Sequence, residues 1–298
     1  MGVLSWVLLV GMAAATADPV RIAVRSFNIR TGWAPDLWNA WPFRATACLQ
    51  AIGDPPDGDL SPDIVGLQEV LSFQLSRIRD AFPYYVSVGH GRGDGGTRGE
   101  YGPILFDARR WSLVDSGMFW LSDTPTVPGS KPAGASGCPR ILTWARLRHR
   151  AAGVDVLALN THLDHVSSRA RLDGVHRILT FLRESNVDAL PVILTGDFNN
   201  DVEDAPEITA VKQAGFVDSY RVVHPDDDDD DAGTFHAFTG RAASAKIDFV
   251  FATRGLAVVD AGIDRQKRCG RYPSDHFPIS ATLELDPRRV SPPPPTAT

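Results

Sequence analysis

Cysteine is scarce in this chain of 298 residues, which contains three: Cys48, Cys138 and Cys269. No Cys-x-x-Cys pair is present, which argues against a zinc site built from thiolates. Cys48 is expected to be buried as a small apolar side chain. Cys138 and Cys269 lie in segments rich in glycine and proline, so they are the better candidates for a disulfide. The sequence does not decide whether that bond forms.

The chain also lacks an apolar run of the roughly 20 residues that a bilayer-spanning helix needs. Its apolar N-terminal stretch covers residues 3–17 and ends in Ala15-Thr16-Ala17, which has the small-x-small form of a signal-peptidase site. We therefore expect residues 1–17 to be a secretory signal, and the mature protein to be secreted, periplasmic or extracellular without a transmembrane segment. No Lys or Arg precedes the stretch, so an uncleaved N-terminal anchor or a buried strand is the alternative.

A dominant charge of one sign is missing as well. The chain has 30 basic and 36 acidic residues, a formal net charge of −6, and six of the acids form the run from Asp226 to Asp231. Outside this run the charges cancel, which argues against a protein that coats nucleic acid. Hydrophobic residues make up 43% and charged residues 22%, a globular composition that excludes wholesale disorder and collagen. Nothing in the sequence calls for an obligate protein partner.

Short apolar runs rich in β-branched residues predict about ten strands, and stretches with helical periodicity predict about four helices. The strands are expected at residues 20–27, 63–67, 84–88, 104–106, 140–147, 154–159, 192–195, 247–251, 256–261 and 277–285, and the helices at 38–52, 71–81, 167–184 and 205–214. So many strands favour an α/β sandwich of two packed sheets with helices outside. We expect one domain over residues 18–286, followed by a proline-rich extended tail at 287–298.

Residues 89–102 contain seven glycines in fourteen positions. The segment lacks the Gly-Lys-Ser/Thr ending of a phosphate-binding P-loop, so that interpretation is excluded. It is expected to be a flexible loop, with a lid as one possible function.

Polar residues recur where the predicted strands end. Four strand ends carry carboxylates, carboxamides or an imidazole: Asn28, Gln68-Glu69, Asn160-Thr161-His162 and Gly196-Asp197-Phe198-Asn199. Strand ends are where α/β folds gather ligands. Hard oxygen donors suit Mg²⁺, Mn²⁺ or Ca²⁺, and a nearby imidazole can accept a proton from water. Together these residues indicate metal-assisted hydrolysis of a phosphoester.

An ordered series of motifs extends this pattern along about 250 residues. The motifs are Phe27-Asn28, Gln68-Glu69, Gly99-Glu100-Tyr101, Asn160-Thr161-His162-Leu163, Gly196-Asp197-Phe198-Asn199, Lys246-Ile247-Asp248-Phe249-Val250 and Ser274-Asp275-His276. In this series the chain resembles the endonuclease/exonuclease/phosphatase superfamily. The resemblance implies a four-layer α/β/β/α sandwich of two mostly antiparallel mixed sheets flanked by helices. It also implies a phosphoesterase that depends on Mg²⁺ or Mn²⁺, with Ca²⁺ also open.

The resemblance implies roles for individual residues. The metal ligands would be Asn28 and Glu69, with Asp275 either a further ligand or a support behind His276. His276 would activate the attacking water while Asp248 holds its ring. The implied catalytic set has four more members. Asp197 and Asn199 would orient the nucleophile and stabilise the transition state. His162 would bind phosphate, with Glu100 as its partner.

Substrate recognition is predicted from residues outside that set. The chain resembles an often secreted bacterial branch of the superfamily in Phe119-Trp120-Leu121-Ser122, Cys138-Pro139-Arg140, a histidine at 165 and Thr234-Phe235-His236. The candidate substrate contacts are Asn160, Arg140, His165 and His236, with a packed loop histidine as the alternative for His236. The substrate class stays open among nucleic acid, nucleotide, lipid headgroup and sugar phosphate.

The favoured activity is that of a phosphodiesterase or nuclease, and three alternatives are open. The first is a phosphomonoesterase acting on a small phosphorylated substrate. The second is a zinc hydrolase of the metallo-β-lactamase type, because His162-Leu163-Asp164-His165 matches part of that motif, although Asn160 replaces its first histidine. The third is an inactive binding protein on the same fold.

Overall fold

The computed structural model describes residues 18–53, 61–185, 190–200, 202, 204–242, 246–253 and 255–289. The predicted signal at 1–17 and residues 290–298 of the predicted tail lie outside the described residues. Pro287–Arg289, at the start of that tail, forms a short 3-10 helix. In the described part of the chain, no helix combines the length and apolar character that crossing a membrane requires.

The described residues form twelve strands and six α-helices. The strands are β1 (Val20–Asn28), β2 (Ile64–Gln68), β3 (Tyr85–Val88), β4 (Ile104–Asp107), β5 (Trp111–Trp120), β6 (Ile141–His149), β7 (Asp155–His162), β8 (Val192–Asp197), β9 (Phe216–Asp218), β10 (Asp248–Thr253), β11 (Leu256–Ile263) and β12 (Ile279–Leu285). The helices are α1 (Trp41–Gly53), α2 (Ser72–Ala81), α3 (Ser168–Glu184), α4 (Pro206–Gln213), α5 (Ser219–Val223) and α6 (Asp229–Ala232).

The strands make two sheets of six. Their orders are β11-β12-β1-β2-β4-β3 and β5-β6-β7-β8-β10-β9. The pairs β1–β2 and β7–β8 are parallel, and the other pairs are antiparallel. The prediction of two mixed, mostly antiparallel sheets is therefore confirmed.

Three apolar layers hold the sheets and helices together. Between the sheets, side chains such as Ile22, Val156 and Ile193 are completely buried. Helices α1 and α2 cover the outer face of the first sheet, and α3 and α4 cover that of the second. This α/β/β/α order follows from alternation, because successive strand residues face opposite sides and so supply both an inner and an outer apolar face.

Two strands escape the sequence analysis, β5 and β9. Strand β5 is an edge strand whose middle is exposed, including Leu113 and Val114, and it contains a bulge between Leu113 and Asp115. The bulge breaks the period-2 pattern on which strand prediction depends. Strand β9 has three residues, too few to show any periodicity.

The three cysteines are free thiols. Cys48 is buried in α1, as expected. Cys269 is exposed and donates a hydrogen bond to Gln50 Oε1 at 3.4 Å. Cys138 lines a different part of the surface, so the disulfide considered between Cys138 and Cys269 is absent from the structure.

Strand register brings distant polar residues side by side. His162 is paired with Asp197 across β7 and β8, and Asp197 with Asp248 across β8 and β10. In the other sheet, Asn28 is paired with Gln68 across β1 and β2, and Glu69 follows directly. Because paired residues point to the same side of a sheet, each sheet presents a row of polar side chains at one rim.

Arg44 of α1 ties two segments of this rim together. Its buried guanidinium donates to the carbonyl oxygens of Ile29 at 2.6 Å, Arg30 at 2.8 Å and Pro273 at 3.0 Å. Those carbonyls belong to the segment after β1 and the segment before β12. Arg44 therefore links the two segments through one side chain.

Replacing Arg44 with alanine is expected to lower the free energy of unfolding by about 2 kcal/mol or more, because several buried carbonyls lose their donor. The matched control is Arg169→Ala on α3, whose side chain is 78% exposed and which is expected to change stability by about 0.5 kcal/mol or less. Urea unfolding followed by circular dichroism measures both. Equal stability of the two variants would show that Arg44 does not hold the rim.

Candidate active site

The rim opens into a cavity of about 380 Å³. Its walls contain carboxylates, guanidinium groups and imidazoles together. The lining residues are Arg30, Thr31, Glu69, Arg92, Glu100, Cys138, Arg140, His162, His165, Asp197, Asn199, Phe235, Ile247, Asp275 and His276.

His276 and Asp248 form a buried pair at the floor of the cavity. The Nδ1 atom of His276 lies 2.8 Å from Oδ2 of Asp248. Phe235 packs edge-on against the imidazole, with 5.1 Å between ring centroids. Burial by itself lowers the pKa of His276, but the charge and hydrogen bond of Asp248, together with Asp197, raise that pKa to about 10. The carboxylate therefore fixes the ring and leaves Nε2 on the side of Asp197.

Asp197 is the hub of the site. Its Oδ2 accepts a hydrogen bond from Nδ2 of Asn28 at 2.9 Å and lies 3.5 Å from Nε2 of His162 and 3.9 Å from Nε2 of His276. Its Oδ1 accepts the backbone N–H of Asn199 at 2.9 Å. Burial, followed by the charge of Asp248, raises the pKa of Asp197 to about 7. This one carboxylate thus lies close to both imidazoles and is hydrogen-bonded to Asn28 of the other sheet.

Glu69 occupies a left-handed backbone conformation, with φ of 61°. Its two oxygens accept from Asn28 Nδ2 at 3.0 Å and from the backbone N–H of Thr31 at 2.8 Å. Burial opposes ionisation, but these hydrogen bonds outweigh it and lower the pKa of Glu69. Glu69 is therefore a fixed anion at the cavity wall, in a conformation of the kind often found at functional sites.

Asn28, a predicted metal ligand, lies behind the cavity wall. It is fully buried and does not line the cavity. Its Nδ2 donates to both Glu69 and Asp197, and its Oδ1 accepts the backbone N–H of Arg30 at 2.9 Å. In this orientation Asn28 positions two carboxylates, and its role as a metal ligand stays a prediction.

Asp275 lines the cavity beside Arg30. Its Oδ2 lies 3.5 Å from Nη1 of Arg30, and its Oδ1 accepts from the hydroxyl of Ser274 at 3.1 Å. Arg30 is shared with Asp36, whose carboxylate accepts two hydrogen bonds of 3.0 Å from it, and the pKa of Arg30 is raised. No motif marked Arg30, although it lies only two positions after Asn28.

The donor set fits a hard divalent cation. Carboxylates of Glu69, Asp197 and Asp275 line one cavity, and carboxylate oxygens are what Mg²⁺, Mn²⁺ and Ca²⁺ prefer. Atoms of Asp197, Asp248 and His276 also lie within 4.8 Å of one another, which makes a second possible set. In that set, Asp248 and His276 are already bonded to each other. The donors identify the class of ion and leave the element open.

Two of the four candidate substrate contacts reach the cavity. Arg140 and His165 both line it, and Nη2 of Arg140 lies 2.8 Å from Nδ1 of His165. His236 does not reach it. The His236 ring is buried, stacks on Phe277 with centroids 3.8 Å apart, and accepts the backbone N–H of Gly240 at 3.2 Å. The expectation of a substrate contact at His236 is therefore corrected in favour of the packed loop histidine.

The comparisons with known proteins agree with this geometry. The model of the Endonuclease/Exonuclease/phosphatase family matches residues 26–276. The chain belongs to this family.

Solved structures of the family resemble the chain over most of its length. A family protein from Bacteroides thetaiotaomicron is 31% identical, with a TM-score of 0.81, covering 91% of this chain and 100% of its own. A mannosyl-6-phosphatase from the same species is 31% identical, with a TM-score of 0.77, covering 88% and 99%. TDP2 from D. rerio, complexed with a single-strand DNA product, shares the fold at 18% identity and a TM-score of 0.65, covering 88% and 98%. No curated protein sequence matches the chain significantly.

Membership in the Endonuclease/Exonuclease/phosphatase family makes the protein a phosphoester hydrolase. It also removes the alternative of a metallo-β-lactamase-type zinc hydrolase. That alternative also lacked its first histidine, whose place in the motif is taken by Asn160.

Glu100 has a different partner from the one expected. Its carboxylate lies 2.7 Å from Nη2 of Arg92. His162 Nδ1 has no hydrogen-bond partner within the described part of the chain, so Glu100 does not support that imidazole. Burial, followed by the neighbouring arginines, lowers the pKa of His162 well below its usual value, which keeps the ring neutral.

The glycine-rich segment is folded by its own backbone, contrary to the expectation of a flexible loop. Gly91 and Gly93 donate to the carbonyls of Gly96 and Arg98, each at 2.9 Å. Arg92 donates to the carbonyl of Glu100, and its own carbonyl accepts from Trp120 Nε1 at 2.7 Å. This backbone fold places Arg92 in the wall of the cavity. No motif marked Arg92, because its position depends on this local fold.

Asn160 is a structural residue and is corrected as a substrate contact. It is fully buried between the sheets and absent from the cavity wall. Its Nδ2 donates to the carbonyls of Leu67 at 2.7 Å and Pro103 at 3.2 Å. Its Oδ1 accepts from Gln68 at 2.7 Å and Thr195 at 3.0 Å. The amide therefore joins the two sheets.

Replacing Asn160 with alanine is expected to lower the free energy of unfolding by about 2 kcal/mol or more, since four buried partners lose their hydrogen bonds. The KM of the folded variant is expected to stay within about threefold of wild type. Chemical unfolding and steady-state kinetics test both points. A large rise in KM at unchanged stability would restore Asn160 as a substrate contact.

Proposed function

We propose that the protein hydrolyses phosphomonoesters of small polar molecules, such as sugar phosphates, with the help of a divalent cation. The observation that carries this proposal is the composition of the cavity. Three arginines, Arg30, Arg92 and Arg140, line a space of about 380 Å³, a volume suited to a small molecule. A terminal phosphate carries up to two negative charges and three strong acceptor oxygens, which the three guanidinium groups and a cation bound at the carboxylates would match.

The similarity to a mannosyl-6-phosphatase supports this choice, because that protein is 31% identical over 88% of the chain. The activity that the sequence favours is instead that of a phosphodiesterase or nuclease. Its support is weaker, since the likeness to TDP2 is one of fold alone. The balanced charge of the chain outside the aspartate run also offers no general attraction to long duplex DNA.

The geometry suggests how the chain's own residues contribute. Asp248 orients His276 so that Nε2 can accept a proton from the attacking water. Asp197 lies 3.9 Å from that atom and would fix the position of the water, while His162 and Asn199, which both contact Asp197, would stabilise the charge that a phosphate oxygen gains. A divalent cation bound at the carboxylates would neutralise the phosphate and favour the neutral form of His276.

The test is a substrate panel with the EDTA-treated protein and added Mg²⁺, Mn²⁺ or Ca²⁺. The panel contains mannose 6-phosphate, p-nitrophenyl phosphate, bis-p-nitrophenyl phosphate, plasmid DNA and RNA. We expect kcat/KM for the monoesters to exceed that for the diesters by at least about tenfold, and EDTA to abolish turnover. Faster cleavage of the diester or of nucleic acid would replace the proposal with the predicted phosphodiesterase.

We also propose that residues 1–17 direct export and are removed after Ala17. The small residues Ala15 and Ala17 support this proposal. Expression of the full chain in a secreting bacterial host, followed by mass spectrometry of the culture medium, is expected to find a protein that begins at Asp18. Recovery of the intact chain only from the cell fraction would contradict export.

A further inference from the structure

Arg140 stands apart from the other arginines of the cavity. Its side chain is buried, with the residue 6% exposed, and it lines the cavity wall. Only Nη2 has a hydrogen-bond partner among the residues that the structure describes, namely His165 Nδ1 at 2.8 Å. The Nε and Nη1 atoms have none in that part of the chain. A guanidinium out of water with two free nitrogens is incomplete without a ligand.

The described charged side chains around Arg140 do not supply hydrogen-bond partners for its Nε and Nη1 atoms. Arg92 repels it, and the carboxylate of Glu100 is held by Arg92 at 2.7 Å. Asp197 attracts Arg140, but its oxygens accept hydrogen bonds from Asn28 and Asn199. The missing ligand is therefore an anion with at least two acceptor oxygens.

The position of Arg140 identifies which anion this is. Arg140 shares its cavity with Asp197, His162 and His276, the residues proposed to surround the reacting phosphorus. A phosphate bound there presents its non-bridging oxygens to the same space. A monoester has three such oxygens and a second negative charge, whereas a diester has two oxygens and one charge.

The protein holds Arg140 firmly in this place. The carbonyl of Arg140 accepts the backbone N–H of Leu121 at 2.8 Å. Asp164 accepts the backbone N–H groups of Ser136 at 2.9 Å and Ser167 at 2.8 Å, which joins the segment leading to Arg140 to the segment carrying His165. A guanidinium fixed in advance loses little entropy when the anion binds.

We propose that Arg140 binds the phosphate oxygen that a monoester has and a diester lacks, and thereby makes the enzyme select monoesters. This inference rests on the proposed function of the same cavity. His165 acts as a positioning residue, since it accepts a hydrogen bond from Arg140 and needs an unprotonated Nδ1 to do so.

The experiment compares Arg140→Met, which keeps the apolar stem and removes the charge, with Arg140→Lys, which keeps the charge without the planar fork. For Arg140→Met we expect kcat/KM for p-nitrophenyl phosphate to fall about 100-fold or more, and that for bis-p-nitrophenyl phosphate to fall less than about threefold. Arg140→Lys is expected to recover part of the monoester activity. Inorganic phosphate should also inhibit Arg140→Met at least about tenfold more weakly than wild type.

The matched control is Arg169→Met, which changes an exposed arginine of α3 outside the cavity. This variant should leave kcat/KM unchanged for both substrates. Circular dichroism melting confirms that each variant is folded before it is assayed. If the wild-type enzyme favours monoesters but Arg140→Met lowers kcat/KM equally for both substrates, the proposal that Arg140 selects monoesters is wrong. If the wild-type enzyme itself favours diesters, the proposed function is wrong, whatever the result for Arg140→Met.

Discussion

Replacing His276 with alanine is expected to lower kcat by about 10³, within the range of 10² to 10⁴ that a positioned general acid or base supplies. The reason is geometric, because Nε2 of His276 faces Asp197 while Nδ1 is held by Asp248 at 2.8 Å. Alanine provides no proton acceptor at that position. Steady-state kinetics on p-nitrophenyl phosphate at saturating Mg²⁺ measures the loss.

Two further variants make this result specific. Asp248→Asn keeps the shape of the pair but removes the charge that fixes the ring, so it is expected to lower kcat by about 10² or more. His176→Ala changes an exposed histidine on α3 and should have no effect. Near-wild-type turnover of a folded His276→Ala variant would refute the assignment of His276 as the residue that activates water.

Replacing Glu69 with glutamine is expected to raise the Mg²⁺ concentration needed for half-maximal activity by about tenfold or more, and to lower the rate at limiting Mg²⁺ by about 10². Glutamine has the same shape, so the left-handed backbone at this position is retained, and its single oxygen can still accept from Thr31. The variant loses the negative charge that a hard cation requires, together with the second oxygen that accepts from Asn28. Metal titration of the EDTA-treated protein measures the change.

The control for Glu69 is Asp173→Asn on the surface of α3, where the carboxylate pairs only with exposed Arg169 among the described contacts. Its Mg²⁺ dependence should match that of wild type. A Glu69→Gln variant with an unchanged Mg²⁺ curve would show that the ion binds elsewhere, and the set of Asp197, Asp248 and His276 would then be the one to examine.

The ends of the strands were readable in advance because each combines an apolar run with a polar stop. Asp197 and His162 end parallel neighbours, and Glu69 follows directly on a third strand, so sequence position alone predicted that they share a rim. The ordered motifs added His276 and Asp248, which no periodicity would have connected. These residues do meet in the structure, and their chemical roles remain predictions.

The sequence did not show how far from the rim each residue of a strand lies. Asn160 and His162 lie two positions apart on β7 and point to the same side, but Asn160 is about 6.6 Å further from the rim. That difference places His162 in the cavity and seals Asn160 between the sheets. A motif that contains both residues cannot distinguish the one that meets the substrate from the one that joins the layers.

The amino-acid sequence by itself determined the family, the four-layer architecture and the group of carboxylates and imidazoles, because these depend on strand periodicity and on an ordered set of motifs. Only the tertiary structure decided that Glu100 pairs with Arg92, that His236 is packed on Phe277, and that Arg140 lines the cavity with two nitrogens that have no partner among the described residues. Those outcomes depend on the direction of single side chains, which is set by contacts between segments far apart in the chain.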